Sequence, residues 1–157
     1  METRRATFQD LGEILQLFAG TIQTVNAADY TEDQLNAWSS GASNQEGWKN
    51  RITEQYFLVA EINGVIAGFA SISFEGYIDL IFVHKDYQRL GVAKRLMHEM
   101  EIFATKKALP EIWSDVSITA VPFFLKSGFE TDHQYEKTFN GVTFRNTIMR
   151  KKSVLPL

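Results

Sequence analysis

From Tyr77 to Lys94 the chain reads YIDLIFV, HKDYQRLG, VAK. Seven strand-prone residues lead through a polar connection to Gly91, where a helical period begins. Ala93, Leu96, Met97, Met100, Phe103 and Ala104 fall on one helix face; Lys94, Arg95, His98, Glu99 and Glu101 fall on the other. Pro110 ends this helix, and Glu111 to Ser117 follows as a strand. Strand, helix and strand make a βαβ unit, which requires two parallel strands joined by a right-handed crossover. The regions on either side supply the rest of the sheet. Upstream, Phe57 to Ile62, Asn63-Gly64, Val65 to Phe74 and Glu75-Gly76 predict an antiparallel meander over residues 56–83, because a two-residue Asn-Gly loop suits a type I′ turn. Downstream, a short helix from Ala120 to Lys126 stops at Gly128, and the strands Phe129 to Phe139 and Val142 to Arg150 flank a second Asn-Gly pair at Asn140-Gly141. The residues predict an α/β fold with a mixed sheet.

The N-terminal third reads as capped helices. Asp10 with Glu13, Thr31 with Gln34, and Ser43 with Glu46 have capping-box spacing. The first precedes a stripe of Leu11, Ile14, Leu15, Phe18 and Ile22; the others precede Leu35 with Trp38 and Trp48 with Ile52. Residues 1–8 fit a strand. The 157 residues contain no repeat, linker or low-complexity tract, so one domain over 1–157 is expected. A net charge of −3 lacks the basic excess that binding to nucleic acid uses. There is no Cys, which excludes disulfides, thiolate metal sites and an acyl-cysteine. No stretch approaches the roughly 18 apolar residues of a membrane span. METRRATFQD does not read as a signal peptide, and a cytoplasmic protein is expected.

The chemistry concentrates at residues 83–94. The first N–H groups of a helix have no internal partner and, with the helix dipole, favour an anion. Gly91 permits close approach, Ala93 is small, and Arg89, Lys94 and Arg95 add positive charge. A pyrophosphate fits such a cradle. So does a blander description, a helix start with a packing glycine and a solvated basic turn. Neither the Walker loop nor the three-glycine dinucleotide fingerprint is present.

Gln88-Arg89-Leu90-Gly91-Val92-Ala93 resembles the Q/R-x-x-G-x-G/A motif of the GCN5-related N-acetyltransferase (GNAT) superfamily, and Ala120 to Phe129 (AVPFFLKSGF) resembles its A-x-x-F-Y-x-K-x-G-F segment. Both stand in the family's order, and the likeness covers nearly the whole chain. It implies a GNAT-like fold: a twisted, mostly antiparallel sheet of about seven strands with flanking helices and a central parallel βαβ unit. It implies acetyl-CoA as co-substrate, with no metal. Gln88, Arg89, Gly91, Val92, Ala93 and Lys94 would hold the pyrophosphate. The main chain of Ile81, Phe82 and Val83 would pair with the pantetheine arm, and one N–H there would polarise the thioester carbonyl. Ser117 stands where the family often has Asn and could bond the arm. Phe124 stands where the family often has a Tyr that protonates the departing thiolate; Phe cannot donate that proton, though it could wall the thioester pocket or serve as core.

The implied acceptor is a primary amine of a small molecule or peptide. Such an amine must lose a proton before or during attack. Asp79, inside the apolar strand, is the first candidate base. Strand alternation puts it on the face of Ile81 and Val83, where apolar neighbours would raise its pKa. It also fits an inert acid at a sheet edge. Glu75 is the second candidate and also fits a turn residue. Tyr30, Trp38 and Trp48 could cage a cation or fasten the short helices to the core. His84, His98 and His133 are scattered and form no ligand pattern. Polyamine, amino acid, peptide N-terminus, antibiotic and aminophosphonate all remain open as acceptors. Nucleic acid and membrane are not expected as partners; a homodimer is allowed. The alternative activity is a catalytically impaired acyl-CoA-binding regulatory module, with Phe124 as its motive.

Overall fold

The computed structural model describes residues 1–153. The meander forms as its turns dictate: β2 (Tyr56–Ile62), β3 (Val65–Ile72) and β4 (Tyr77–Val83) are antiparallel neighbours, and β1 (Glu2–Arg5) adds to the outer edge of β2. Asn63 and Gly64 both take positive φ, 51° and 78°, as a type I′ turn demands. Helix α4 (Val92–Lys106) crosses from β4 to the parallel strand β5 (Glu111–Val116). The hairpin of β6 (Glu130–Phe139) and β7 (Val142–Lys152) completes a seven-stranded sheet in the order β1-β2-β3-β4-β5-β7-β6.

Three N-terminal helices, α1 (Leu11–Thr24), α2 (Glu32–Ser39) and α3 (Gln45–Glu54), cover one face of the sheet. Their core joins Ile14, Phe18, Ile22 and Trp48 to Phe57, Val59 and Phe69. Helix α4 covers the other face with Leu96, Met97, Met100 and Phe103, joined by Phe124 of the short helix α5 (Val121–Lys126). A strand buried on both faces reads as a continuous apolar run, and β3 is buried at every position after Val65. Gly68 lets α4 approach: a Cβ there would lie 2.6 Å from Val92 Cγ1 and 2.9 Å from the Phe82 carbonyl oxygen.

The expected box of Thr31 and Gln34 forms, the two residues exchanging backbone-to-side-chain bonds of 2.9 and 3.2 Å. The other two boxes are displaced. Asp10 reaches back to the N–H of Thr7 (2.8 Å) and to Arg4, while Glu13 accepts the N–H of Ile66 (2.8 Å) and ties α1 to β3. At α3 the capping side chain is Asn44, accepting from the Gly47 N–H, one residue beyond Ser43.

A larger departure lies in β4. Ile72 faces Ile78 and Ser71 faces Leu80, so Asp79 is the extra residue of a β-bulge. The bulge breaks the alternation on which the sequence expectation for Asp79 rested. Ile81 and Val83 pack toward α4, whereas Asp79 bonds to α3 on the opposite face.

Candidate active site

Strands β4 and β5 pair only at Tyr77 with Trp113 and Ile78 with Ser114, and then part. The Ser114 hydroxyl closes the last rung by donating to the Ile78 carbonyl (2.8 Å). Beyond it, among the described residues, the inner edge of β4 has no strand beside it. His84 donates its N–H to Ala67, and bonding to β3 alternates along the strand, so the main-chain groups of Ile81 and Val83 turn away from β3 and into the gap. The Val83 carbonyl accepts from Thr21 (2.9 Å) and from Gln88 (2.8 Å). The rest of the edge is strand-like and open to an extended ligand that carries amides.

The edge leads to the start of α4. Gly91 caps that helix in the left-handed region (φ 81°), and Arg89 two residues earlier also has positive φ (62°). A Cβ at Gly91 would meet nothing within 4 Å, so the approach to the first N–H groups is open. Arg89 and Lys94 are exposed beside it, whereas Arg95 is paired with Glu99 (3.1 Å). Val92 is buried against the sheet, and Ala93 is half-buried.

In the other direction the gap opens into a cleft of about 760 Å³. Ile81, Phe82, Ser117, Ala120 and Phe124 line the part nearest the open edge. Tyr30, Trp38, Arg51, Tyr77, Asp79, Asp115, Lys137 and Asn146 line the remainder. An open strand edge, a helix start at one end and a mixed polar and aromatic pocket at the other suit a long ligand with an anionic head and a reactive tail.

Residues 26–153 match the family described as Acetyltransferase (GNAT) domain. The chain belongs to the GNAT acetyltransferase family. A protein of Escherichia coli (strain K12) named "Uncharacterized N-acetyltransferase YafP" is 33% identical over 143 residues, covering 91% of this chain and 90% of that one. A structure described as a GCN5-related N-acetyltransferase ("Aminotransferase, Class-II") from Rhodopseudomonas palustris superposes with a TM-score of 0.93 at 30% identity, covering 96% of this chain and 94% of that one. The PaiA N-acetyltransferase of Thermoplasma acidophilum, solved in complex with coenzyme A, has the same fold, with a TM-score of 0.80 at 21% identity and coverage of 96% and 98%.

Within this GNAT domain the two candidate bases separate. Asp79 lines the cleft, and its Oδ2 accepts from Arg51 Nε (2.8 Å) and Gln55 Nε2 (3.1 Å). The apolar surroundings expected from its strand are replaced by an ion pair with α3, because the bulge turns the side chain across the sheet. Glu75 is exposed in the turn before β4 and does not line the cleft. Phe124 is buried, packed edge-on to Phe129, with one side on the cleft. The Ser117 hydroxyl accepts the Ala120 N–H (3.3 Å) at the start of α5. The Gln88 side chain turns inward and donates to the Val83 carbonyl at the end of β4.

Tyr30 and Trp38 meet edge-to-face at 5.3 Å on the cleft wall, and the Tyr30 hydroxyl accepts the Ile118 N–H (2.8 Å). Burial raises the Tyr30 pKa. Trp48 is core: its ring packs on Phe18 and its Nε1 donates to the Gly41 carbonyl (3.0 Å). His84 accepts the Asp86 N–H at Nδ1, and His133 pairs with Asp132. Among the described residues no cluster of His, Cys, Asp or Glu could hold a metal ion, and no helix is long and apolar enough to cross a membrane.

Arg51, Tyr77, Asp115, Lys137 and Asn146 line the cleft but carried no expectation of a site role, and Tyr135 joins them through Asp115. Asp115 accepts from the Tyr135 hydroxyl, from Lys137 (3.1 Å) and from Asn146 (2.9 Å). Burial first, then the charges of Asp79 and Asp115, push the Tyr77 phenol far above the ordinary range. Burial and the bond to Asp115 push Tyr135 up to about 12. Arg51 completes the set, on a helix read only for its core face. An acid near the carboxyl end of a parallel strand is a signal that singles out Asp115, since ligands gather at such ends.

Proposed function

We propose that this GNAT domain transfers the acetyl group of acetyl-CoA directly to a primary amine of a small molecule or peptide. The observation that carries this reading is the continuity of three features: the open start of α4, the unpaired edge of β4, and the cleft holding Asp79. Bound acetyl-CoA supplies an acetyl thioester. The protein's own groups do the rest. The N–H groups from Gly91 onward hold the pyrophosphate, with Arg89 and Lys94 alongside. The Ile81 main chain aligns the arm, and an N–H on that edge faces the position where negative charge develops on the carbonyl oxygen. Asp79 accepts the proton of the incoming ammonium; an alkyl amine with a pKa of about 10.4 is less than about one part in a thousand neutral at pH 7. Phe124 cannot protonate the sulfur. A thiol pKa of about 8.5 makes the thiolate a tolerable leaving group that solvent can protonate. With no Cys in the chain and no activated Ser, transfer proceeds without an acyl-enzyme.

Phe124 also favours a second reading, a regulatory module that binds acyl-CoA without turnover. Incubation with acetyl-CoA and a panel of amines, with thiol detection, separates the two. Amine-dependent release of CoA thiol, together with an unchanged intact protein mass when acetyl-CoA is given alone, is the expected result. Tight binding without release from any amine would favour the module. Failure to bind acetyl-CoA would overturn both.

A further inference from the structure

The charged side chains lining the cleft are Arg51, Asp79, Asp115 and Lys137, two of each sign. Each carboxylate already has a cationic partner, Asp79 in Arg51 and Asp115 in Lys137. A polycationic acceptor would find no surplus negative charge for its second ammonium. Asp79 takes both of its bonds at Oδ2, and Arg51 is likewise only partly committed. Arg51 gives only Nε to Asp79 (2.8 Å), and neither of its Nη nitrogens makes a hydrogen bond among the described residues. The guanidinium lies over the Trp48 ring, 5.1 Å from its centroid, and the side chain is 33% exposed on the cleft wall. Held by Asp79 at one edge and by the indole at one face, it presents two parallel N–H groups in the spacing that a carboxylate matches. Phe18 packs on the same indole at 4.9 Å, Phe82 packs on Phe18 and Trp38 on Phe82, and all three line the cleft.

We infer that the acceptor carries its own carboxylate: it is a zwitterionic amino acid with an apolar side chain, seated with its carboxylate on the Nη edge of Arg51. This rests on the transferase reading above and names the substrate class for it. A zwitterion adds one charge of each sign and leaves the cleft balanced. Its ammonium comes within reach of Asp79, which the same guanidinium positions. The ammonium loses one proton to Asp79, nitrogen bonds to the acetyl carbon, the carbon–sulfur bond breaks, and the second nitrogen proton leaves to solvent or thiolate. The product keeps its carboxylate and has lost its cation. It therefore leaves a cleft whose charges it no longer balances.

The test compares kcat/KM for leucine and phenylalanine with that for their carboxamides and decarboxylated amines. The wild-type protein should prefer the free acids by about tenfold or more, the size expected of a charge-assisted bidentate contact. Arg51→Gln should bring that ratio to within about threefold of one, mainly through KM for the acid. Arg51→Lys should retain part of it. Any disturbance of Asp79 acts on acid and amide alike and cancels in the ratio. A wild-type ratio near one, a preference that survives Arg51→Gln, or better turnover of a polyamine overturns the amino-acid assignment and leaves the transferase reading standing. Binding of acetyl-CoA with no thiol release from any acceptor overturns the transferase reading, and this inference with it.

Discussion

On the proposed reading, the donor half of the cleft is made of main chain and the acceptor half of side chains. On the donor side, the inner edge of β4 and the first turn of α4 present N–H and C=O groups whose positions follow from the parting of β4 and β5 and from the left-handed Gly91. On the acceptor side, α3 supplies Arg51, β4 Asp79, β5 Asp115, and the β6–β7 hairpin Tyr135, Lys137 and Asn146. A main-chain site constrains where small residues must stand and little else. A side-chain site depends on which residues converge from distant parts of the chain. The first can keep one ligand while the second changes acceptors.

Substitutions that act on one half alone test this division most severely. Asp79→Asn should lower turnover by about a hundredfold to ten-thousandfold, the usual range for a general base, and leave acetyl-CoA affinity within about twofold. The amide keeps the size and can still accept from Arg51. The loss should shrink at high pH, where free amine is abundant. Full activity at neutral pH would move the base away from the bulge. A matching loss of acetyl-CoA affinity would erase the separation of the halves.

The reciprocal change is Gly91→Glu. It places negative charge and bulk at the helix start, in a left-handed position that costs a non-glycine residue about 1–2 kcal/mol. Acetyl-CoA affinity by calorimetry should fall about a hundredfold or more, with the circular dichroism spectrum retained. Gly91→Ala carries the strain without the charge and should bind nearly as well as wild type. Undiminished affinity in folded Gly91→Glu would remove the pyrophosphate from this turn.

Gly68→Ala acts on the frame of the donor half. Its Cβ meets Val92 and the Phe82 carbonyl, and overpacking of this kind typically costs about 1–3 kcal/mol. A lower urea midpoint is expected, with acetyl-CoA binding weakened severalfold as α4 shifts and KM for the acceptor unchanged. If KM for the acceptor rises as well, the two halves are mechanically coupled through β4.

The same division explains what could be read from the chain. Asn63-Gly64, the period change at Gly91 and the stop at Pro110 are local, and they specified the meander, the crossover and the donor loop. The bulge at Asp79 left no trace, because Ile78 and Leu80 are apolar on either side of it and no glycine marks the break. Its effect reached the site: a carboxylate expected among Ile81 and Val83 stands instead against Arg51. Arg51 and Gln55 lie at the end of a helix whose pattern reports only its buried face, and nothing local joins them to Asp79, 28 and 24 residues onward. Glu75 was attractive as an acid near β4, but strand direction carries the turn away from the cleft.

Phe124 lies where the halves meet, and the smallest effect is expected there. It is buried, packs on Phe129, and shows one side to the cleft. Phe124→Tyr adds one hydroxyl. If that hydroxyl reaches the cleft it can donate to the departing sulfur; if it is trapped in the core it must find a partner or destabilise the fold by about 1–3 kcal/mol. Thermal unfolding distinguishes these cases. With the hydroxyl in the cleft, turnover should rise by no more than about threefold at pH 7. A thiolate whose conjugate acid has a pKa of about 8.5 gains little from a phenol of pKa about 10. An increase of a hundredfold would show that loss of the acid limits the native protein, and the regulatory-module reading would gain its strongest support. An unchanged rate in a stably folded variant would show that the proton on the sulfur was never limiting, and that catalysis depends on the base and the open strand edge.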